Sequence, residues 1–169
     1  DTPIRSPAII PEAHIEPVQS EGWFLQASPE LGMKRLLSKG AEKIFQICKC
    51  FRKDERGQFH IPELTMLEWY ARDHTYIDLM NQCEDLIKFI ATRLNMDDTL
   101  IYQGQSINLD LPWQKITVED AFLKYSDISM TEALQSKQFE EIMSFNIEPR
   151  LIQPSFLYDY PSPLASLAT

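Results

Sequence analysis

Two stretches of the sequence carry side chains that could bind a charged ligand. The first ends at Arg52, whose planar guanidinium can hold a phosphate or a carboxylate through paired hydrogen bonds. In the second, Leu64, Met66, Glu68 and Tyr70 occupy alternate positions, so a strand places all four on one face. A carboxylate and a phenol beside two apolar side chains could form the floor of a site for a small ligand with an ammonium group. A half-exposed strand with scattered charges would show the same pattern, so the residues alone leave both interpretations open.

The cysteines and histidines give no comparable signal. Cys48 and Cys50 lie two residues apart in a predicted strand, so they point the same way and are poorly placed to form a disulfide. Cys83 is distant, and no spacing of a zinc site is present, so we expect buried, reduced thiols and no metal ligand. We interpret His14 as a solvated loop residue and His74 as a surface or capping group.

Composition indicates a globular chain with a core of its own. The 169 residues are 44% hydrophobic and 24% charged, with a net charge of −9. The sequence contains no apolar run of the roughly 20 residues that span a bilayer. It also starts without a signal pattern, so we expect a cytoplasmic protein with no membrane association. The acidic charge argues against a self-sufficient nucleic-acid binder, and we interpret Lys34, Arg35 and Lys39 as a solvated helix face.

The first candidate stretch follows a strand and a helix. The first twenty residues contain four prolines and should be extended or looped. Residues 22–26 are typical of a strand. Ser28, Pro29 and Glu30 predict the start of a helix that ends near Gly40. Its apolar side should consist of Leu31, Leu36 and Leu37.

The two candidate stretches themselves predict an antiparallel hairpin. Residues 43–52 and 63–70 are rich in strand-forming side chains, and a charged loop with a glycine joins them. An amphipathic helix over 76–95 follows, with an apolar stripe expected in the core. The remaining predicted elements are strand pieces at 100–109, helices at about 117–125 and 131–144, and a last strand at 154–160. Helices mixed with antiparallel strands predict the α+β class.

Four segments, in order along the chain, carry a family resemblance. They are Asp1-Thr2-Pro3, residues 26–37, the hairpin with Phe51-Arg52 and Thr65-Met66-Leu67-Glu68-Trp69-Tyr70, and residues 154–161. The hairpin resembles the second signature motif of class II aminoacyl-tRNA synthetases in its lysyl form. The other three resemble the end of the first motif, the entry to the amino-acid pocket, and the strand before the last third of the catalytic domain. The chain is most similar in these residues to the elongation factor P–lysine ligases.

The resemblance implies a fold and an activity. The fold would be a class II synthetase-like antiparallel sheet flanked by helices, of which residues 1–169 form a partial catalytic domain. The parent protein would be a ligase that uses ATP and Mg²⁺ to activate lysine or β-lysine as an acyl-adenylate. Elongation factor P would accept the acyl group, with tRNA-Lys as the alternative acceptor, and a homodimer is possible.

The resemblance also assigns roles to residues. Arg52 would contact the α-phosphate of ATP and the substrate carboxylate and act in catalysis. Asp54 would read the adenine amino group, and His60 would approach the outer phosphates. Glu30 would receive an ammonium group of the substrate, and Glu68 would support the adenylate site. The remaining implied contacts of ATP and of the amino acid are Lys53, Ile61 and Leu64 for ATP, and Ser28, Pro29 and Tyr70 for the amino acid.

Three positions depart from the family's pattern. Lys53-Asp54 stands where Asn-Glu is usual, Ile61 replaces an asparagine, and Leu64 replaces the aromatic ring that stacks on adenine. These changes predict weakened contacts to ATP. The chain also has no counterpart of the glycine-rich third motif, so we expect it to be inactive alone. Two alternatives stay open: a fragment of a lysyl-tRNA synthetase, and a degenerate synthetase-like module that binds without catalysis.

Overall fold

The fold is taken from a computed structural model, which describes residues 1–8, 15–57, 60–96, 98–110 and 112–164. Their backbone falls into two units, Asp1–His74 (unit 1) and Thr75–Thr169 (unit 2). His14 lies outside the described residues.

Unit 1 contains two antiparallel sheets and one helix among its described residues. Its elements are β1 (Arg5–Ser6), β2 (Gln19–Ser20), β3 (Trp23–Leu25), α1 (Glu30–Ser38), β4 (Lys43–Phe51) and β5 (Glu63–Ala71). In the small sheet, β3 lies between β1 and β2 and pairs antiparallel with both. The strand predicted over 22–26 is therefore present as β3.

The predicted hairpin is confirmed as β4 and β5. Nine residue pairs connect the strands, from Lys43 opposite Ala71 to Phe51 opposite Glu63. Alternation gives the hairpin an inner face, with Gln46 and Cys50 buried, and an outer face. The connecting loop is longer than a tight turn, and Asp54 lies in it at a φ of 61°, in the left-handed region that aspartate tolerates better than most residues.

Helix α1 begins at Glu30, one residue later than predicted. Pro29 occupies the N-cap position, and the backbone N–H of Glu30 donates to Ser28 Oγ at 3.0 Å. The helix ends as predicted, with Gly40 just beyond it at a φ of 102°.

The apolar side predicted for α1 is wrong in part. Leu31 and Leu36 are exposed and Leu37 is half-buried, whereas Met33 is only 1% exposed. A second face of the helix meets the start of the chain, where a Cβ built on Gly32 would lie 2.7 Å from Thr2 Cγ2. Glycine permits this close approach, and Gln46 on β4 holds Thr2 through two hydrogen bonds.

Unit 2 combines helices with two short strand pairs. Its elements are α2 (Tyr76–Arg93), β6 (Thr99–Tyr102), β7 (Gln105–Asn108), β8 (Gln114–Thr117), α3 (Val118–Tyr125), α4 (Met130–Gln135), α5 (Phe139–Ile142), a π-helical turn (Met143–Ile147), a 3₁₀ turn (Glu148–Arg150), β9 (Ser155–Tyr158) and a further 3₁₀ turn (Ser162–Leu164). The core consists of α3, α4, α5 and the π-helical turn around the stacked rings of Phe122 and Phe139. None of the helices in the described part of the chain is long and apolar enough to cross a bilayer.

Three predictions for unit 2 need correction. The helix expected over 131–144 is interrupted, because Lys137 adopts a left-handed φ of 59° between α4 and α5. Strand β8 was not predicted, and it pairs parallel with β9, so the sheets are not all antiparallel. The stripe of α2 is buried only at Met80 and half-buried at Cys83, whereas the remaining members are exposed: Ile87, Ile90 and Leu94.

Candidate functional site

A hydrogen-bonded group on the inner face of the hairpin centres on Glu68. The hydroxyl of Ser28 donates to Glu68 Oε1, and the phenol of Tyr70 donates to Glu68 Oε2 at 2.9 Å. Both carboxylate oxygens are therefore oriented by hydroxyl donors. Burial, and then the hydrogen bond to Glu68, raise the pKa of the Tyr70 phenol, so it keeps its proton and stays a donor at neutral pH.

Two local features of the sequence build this group. Glu68 and Tyr70 are two residues apart in β5, so they share the inner face, as predicted. Ser28 comes from the residue pair before α1 and is buried there, and its oxygen also accepts the N–H of Glu30. The start of the helix thereby brings a hydroxyl against a strand forty residues later in the sequence.

A second carboxylate, Glu30, lies near the same phenol. Its negative charge contributes to the raised pKa of Tyr70, after burial and Glu68. Glu30 Oε1 accepts a hydrogen bond from Lys34 Nζ at 2.6 Å, one helical turn along α1. Two carboxylates around a neutral phenol favour a cation, and Glu30 already pairs with an alkylammonium group.

Arg52 is held at the end of β4. Its Nε donates to the carbonyl oxygen of Ala27 at 3.3 Å, and its Nη1 lies 3.5 Å from Glu55 Oε1. The side chain is 22% exposed, so part of the guanidinium remains accessible for an anion. The backbone N–H of Arg52 donates to Pro62 at 2.8 Å and fixes the residue at the mouth of the loop.

The thiol of Cys50 lies between these two parts of the site. Its pKa is raised to about 12, first by burial, then by Cys48 and by the charge of Glu68, and Arg52 opposes this rise. Cys48 and Cys50 have their sulfurs 3.9 Å apart and are free thiols, as is Cys83; Cys50 is buried as predicted, whereas Cys48 and Cys83 are only half-buried. At neutral pH this fully buried thiol of Cys50 is therefore uncharged.

The loop residues assigned to ATP lie together in part. Asp54 and His60 line a shallow depression of about 310 Å³, together with Glu55, Arg56 and Gly57. Lys53 instead forms an ion pair with Glu16, and that hydrogen bond raises the pKa of the Lys53 ammonium.

The two apolar replacements differ in their surroundings. Ile61 is 64% exposed in the loop. Leu64 is half-buried on the inner face, opposite Cys50, on the same side of β5 as Glu68. Leu64 is thus the replacement that faces the carboxylate site.

Sequence reasoning missed three supporting residues. Glu55 pairs with Arg52 at a spacing of three residues, and Lys34 pairs with Glu30 at a spacing of four, so charge patterning could have indicated both. Gln26 is buried and donates from Nε2 to the carbonyl of Lys49 at 2.9 Å, a contact between distant segments that no local pattern predicts. Among the residues with described positions, no group of three or more His, Cys, Asp or Glu could hold a metal ion.

Comparison with known proteins gives one consistent family. The family model of class II tRNA synthetases (D, K and N) matches residues 7–169. An elongation factor P–(R)-β-lysine ligase of Photobacterium profundum is 34% identical over 99% of this chain and 57% of its own length. The ligase of that name from Edwardsiella ictaluri gives the same three values. A lysine–tRNA ligase of Campylobacter jejuni is 32% identical over 86% of this chain and 33% of its own length. The chain spans 57% of the length of the two elongation factor P ligases and 33% of the length of the lysine–tRNA ligase. It belongs to the family of class II tRNA synthetases (D, K and N).

Proposed function

We propose that residues 1–169 are part of the catalytic domain of a cytoplasmic ligase that activates lysine or β-lysine with ATP and transfers it to a lysine of elongation factor P. The observation that carries this proposal is the pair of carboxylates around Tyr70. Glu68 has both oxygens oriented by hydroxyl donors, and Glu30 pairs with an alkylammonium group. A diamino acid has the complementary groups.

The carboxylates account for recognition of the amino acid. An ammonium group that leaves water needs a paired charge and hydrogen bonds, and Glu30 and Glu68 offer both. Ser28 and Tyr70 hold Glu68 in place before the substrate arrives, which lowers the cost of ordering it on binding. Pro29 fixes the backbone between Ser28 and Glu30, so the two positions are set by the start of α1.

Arg52 accounts for the handling of negative charge. In the proposed reaction the substrate carboxylate attacks the α-phosphate of ATP, which gives the acyl-adenylate and releases pyrophosphate. The accessible part of the guanidinium would hold the carboxylate and the α-phosphate close together and neutralise the charge that develops there. Mg²⁺ would add positive charge on the phosphates, and no protein nucleophile is needed.

The hairpin loop would hold the rest of ATP. Asp54 and His60 line one depression, which suits contacts to the adenine amino group and the outer phosphates. Leu64 would pack against adenine without ring stacking, and Ile61 would contribute only apolar contact. Lys53 is engaged by Glu16, so it would reach a phosphate only after that pair opens.

Elongation factor P is the favoured acceptor over tRNA-Lys. The ligases for elongation factor P align over 99% of this chain, and the lysine–tRNA ligase over 86%. The acidic net charge of −9 gives no support for tRNA binding by these residues. A lysyl-tRNA synthetase is the second candidate, because a lysine–tRNA ligase is also 32% identical to this chain. A module that binds without catalysis is the third, because of Lys53, Ile61 and Leu64. A homodimer remains part of the proposal for the parent protein.

The test uses the full-length protein that contains this chain. Lysine- or β-lysine-dependent exchange of pyrophosphate into ATP should occur, and Glu68→Gln should reduce it by about 100-fold, since the half-buried charge partner of the substrate ammonium is lost. Glu63→Gln is the matched control, because Glu63 lies on the same strand but pairs with Lys49 at the surface. Acyl transfer to elongation factor P and to tRNA-Lys is then compared. Absence of exchange in the wild type, or an equal effect of both substitutions, would overturn the proposal.

A further inference from the structure

A groove in unit 1 adjoins the Glu68 site, shares Ser28 and Pro29 with it, and is lined by positive rather than negative side chains. It runs between the N-terminal segment and α1 and has a volume of about 630 Å³. Arg5, Lys34 and Arg35 line it, and among its described lining residues there is no carboxylate. This concentration of cations is unusual in a chain with a net charge of −9.

The cations differ in how they are already paired. Arg5 lies 3.9 Å from Glu21 and packs over the ring of Trp23, and Lys34 pairs with Glu30. Arg35 forms no ion pair with any residue that the structure describes. Its guanidinium therefore has all its donors available to a ligand.

The remaining walls identify the kind of ligand. The hydroxyl-bearing residues beside the cations are Thr2, Ser6, Ser28 and Ser38, and Pro3 and Leu31 form an apolar wall. We infer that this groove binds a small anion in which a phosphate or carboxylate is attached to an apolar body. The volume lies in the range of roughly 300–1,000 Å³ that such ligands occupy.

The charge of unit 1 favours a small anion over a nucleic acid. Residues 1–74 contain ten Lys and Arg and eleven Asp and Glu, which gives a charge of −1. A polyanion that lies along a surface needs a broad basic face, whereas three cations in one groove suffice for one phosphate or carboxylate.

Lys34 connects the groove with the Glu68 site. Its side chain lines the groove while its Nζ bonds Glu30, and it is long and half-exposed. An anion in the groove attracts this ammonium away from Glu30 and leaves that carboxylate free for the substrate. Occupation of the groove therefore strengthens binding of a diamino acid; this second step rests on the proposed function.

The groove is tested by nuclear magnetic resonance with the full-length protein that contains this chain. Inorganic phosphate and phenyl phosphate are titrated at constant ionic strength. Both should shift the amide signals of Arg5, Lys34 and Arg35 saturably, with phenyl phosphate binding about fivefold tighter because of the apolar wall. Arg35→Gln should weaken the binding of phenyl phosphate by about tenfold. Arg72→Gln, an exposed arginine outside the groove, should have no effect.

Three results would refute the proposal that the groove binds a small anion. They are shifts that do not saturate, an equal affinity of the two phosphates, and an equal effect of the two arginine substitutions. The coupling between the groove and the Glu68 site has its own test in the full-length protein. Saturating phenyl phosphate should raise the affinity for lysine about two- to threefold in the wild type and not in Lys34→Gln. If phenyl phosphate binds but the affinity for lysine does not change, the coupling is refuted and the proposal of an anion site in the groove stands. Absence of any lysine binding by the full-length protein would refute the proposed function alone.

Discussion

Gly32 provides a test in which the sign of a stability change depends on one contact. In an exposed helix interior, glycine to alanine stabilises by about 1 kcal/mol, since alanine loses less backbone entropy on folding. In α1 the added Cβ would lie 2.7 Å from Thr2 Cγ2 and 2.9 Å from Thr2 Cβ. Such overpacking costs roughly 1–3 kcal/mol when the neighbour is fixed.

Thr2 is fixed by two hydrogen bonds. Its backbone N–H donates to Gln46 Oε1 at 2.8 Å, and Gln46 Nε2 donates to Thr2 Oγ1 at 3.0 Å. The contact therefore outweighs the helix preference. We expect Gly32→Ala to lower the free energy of unfolding by up to about 2 kcal/mol.

The assay is urea unfolding followed by circular dichroism, applied to a double-mutant cycle. Thr2→Gly removes the atoms that the new Cβ meets, so Gly32→Ala in that background should stabilise by about 1 kcal/mol. Thr2→Gly alone provides the reference. A stabilising effect of Gly32→Ala in the wild-type background, or the same effect in both backgrounds, would refute the reasoning.

Three further predictions concern the site. Burial and Glu68 raise the pKa of Tyr70 above its ordinary value of 10.0, so the folded state keeps a proton that the unfolded state loses; its contribution to stability is complete below pH 10 and declines as the pH rises further. Urea unfolding of wild type and Tyr70→Phe should therefore diverge above pH 10, and parallel curves would contradict this. Leu64→Phe should tighten ATP binding to the full-length protein by roughly two- to tenfold, measured by calorimetry, because an aromatic ring can stack on adenine; no binding by either protein would favour the non-catalytic module. The 169-residue chain alone should show no lysine-dependent pyrophosphate exchange, and measurable exchange would show that the residues it contains are sufficient.

Local pattern predicted the strand that carries the site. Glu68 and Tyr70 share a face because strand side chains alternate, and this follows from spacing alone. The hairpin itself was also predictable, since two strand-forming stretches flank a charged loop. The start of α1 was predicted to within one residue, because Ser28 and Pro29 leave few other conformations at that point.

Contacts between distant segments were not predictable. The hydroxyl of Ser28 reaches Glu68 across forty residues, and nothing in either stretch encodes the other. The side predicted for α1 was wrong in part for a related reason: Met33 is buried and Leu36 is exposed, and which face of a helix packs depends on segments distant in the sequence. Strand β8 begins with Gln114 and Lys115 and has a single buried residue, Ile116, so its strand character depends on pairing with β9.

The two faces of the hairpin are both apolar enough to be buried, and this bears on how the strands find their alignment. Phe45 and Ile47 on the outer face are 74% and 62% exposed, opposite Trp69 and Leu67. A slip of one residue would exchange the faces, and hydrophobicity alone would penalise that slip weakly.

The polar groups of the inner face strongly favour the native strand alignment over a slipped one. In a slipped hairpin Gln46 would lose Thr2, and Glu68 would lose Ser28. The hydrogen bonds that shape the ligand site therefore also specify the strand alignment. A lineage that discards the chemistry of this site would have to replace that specification before it could lose these residues.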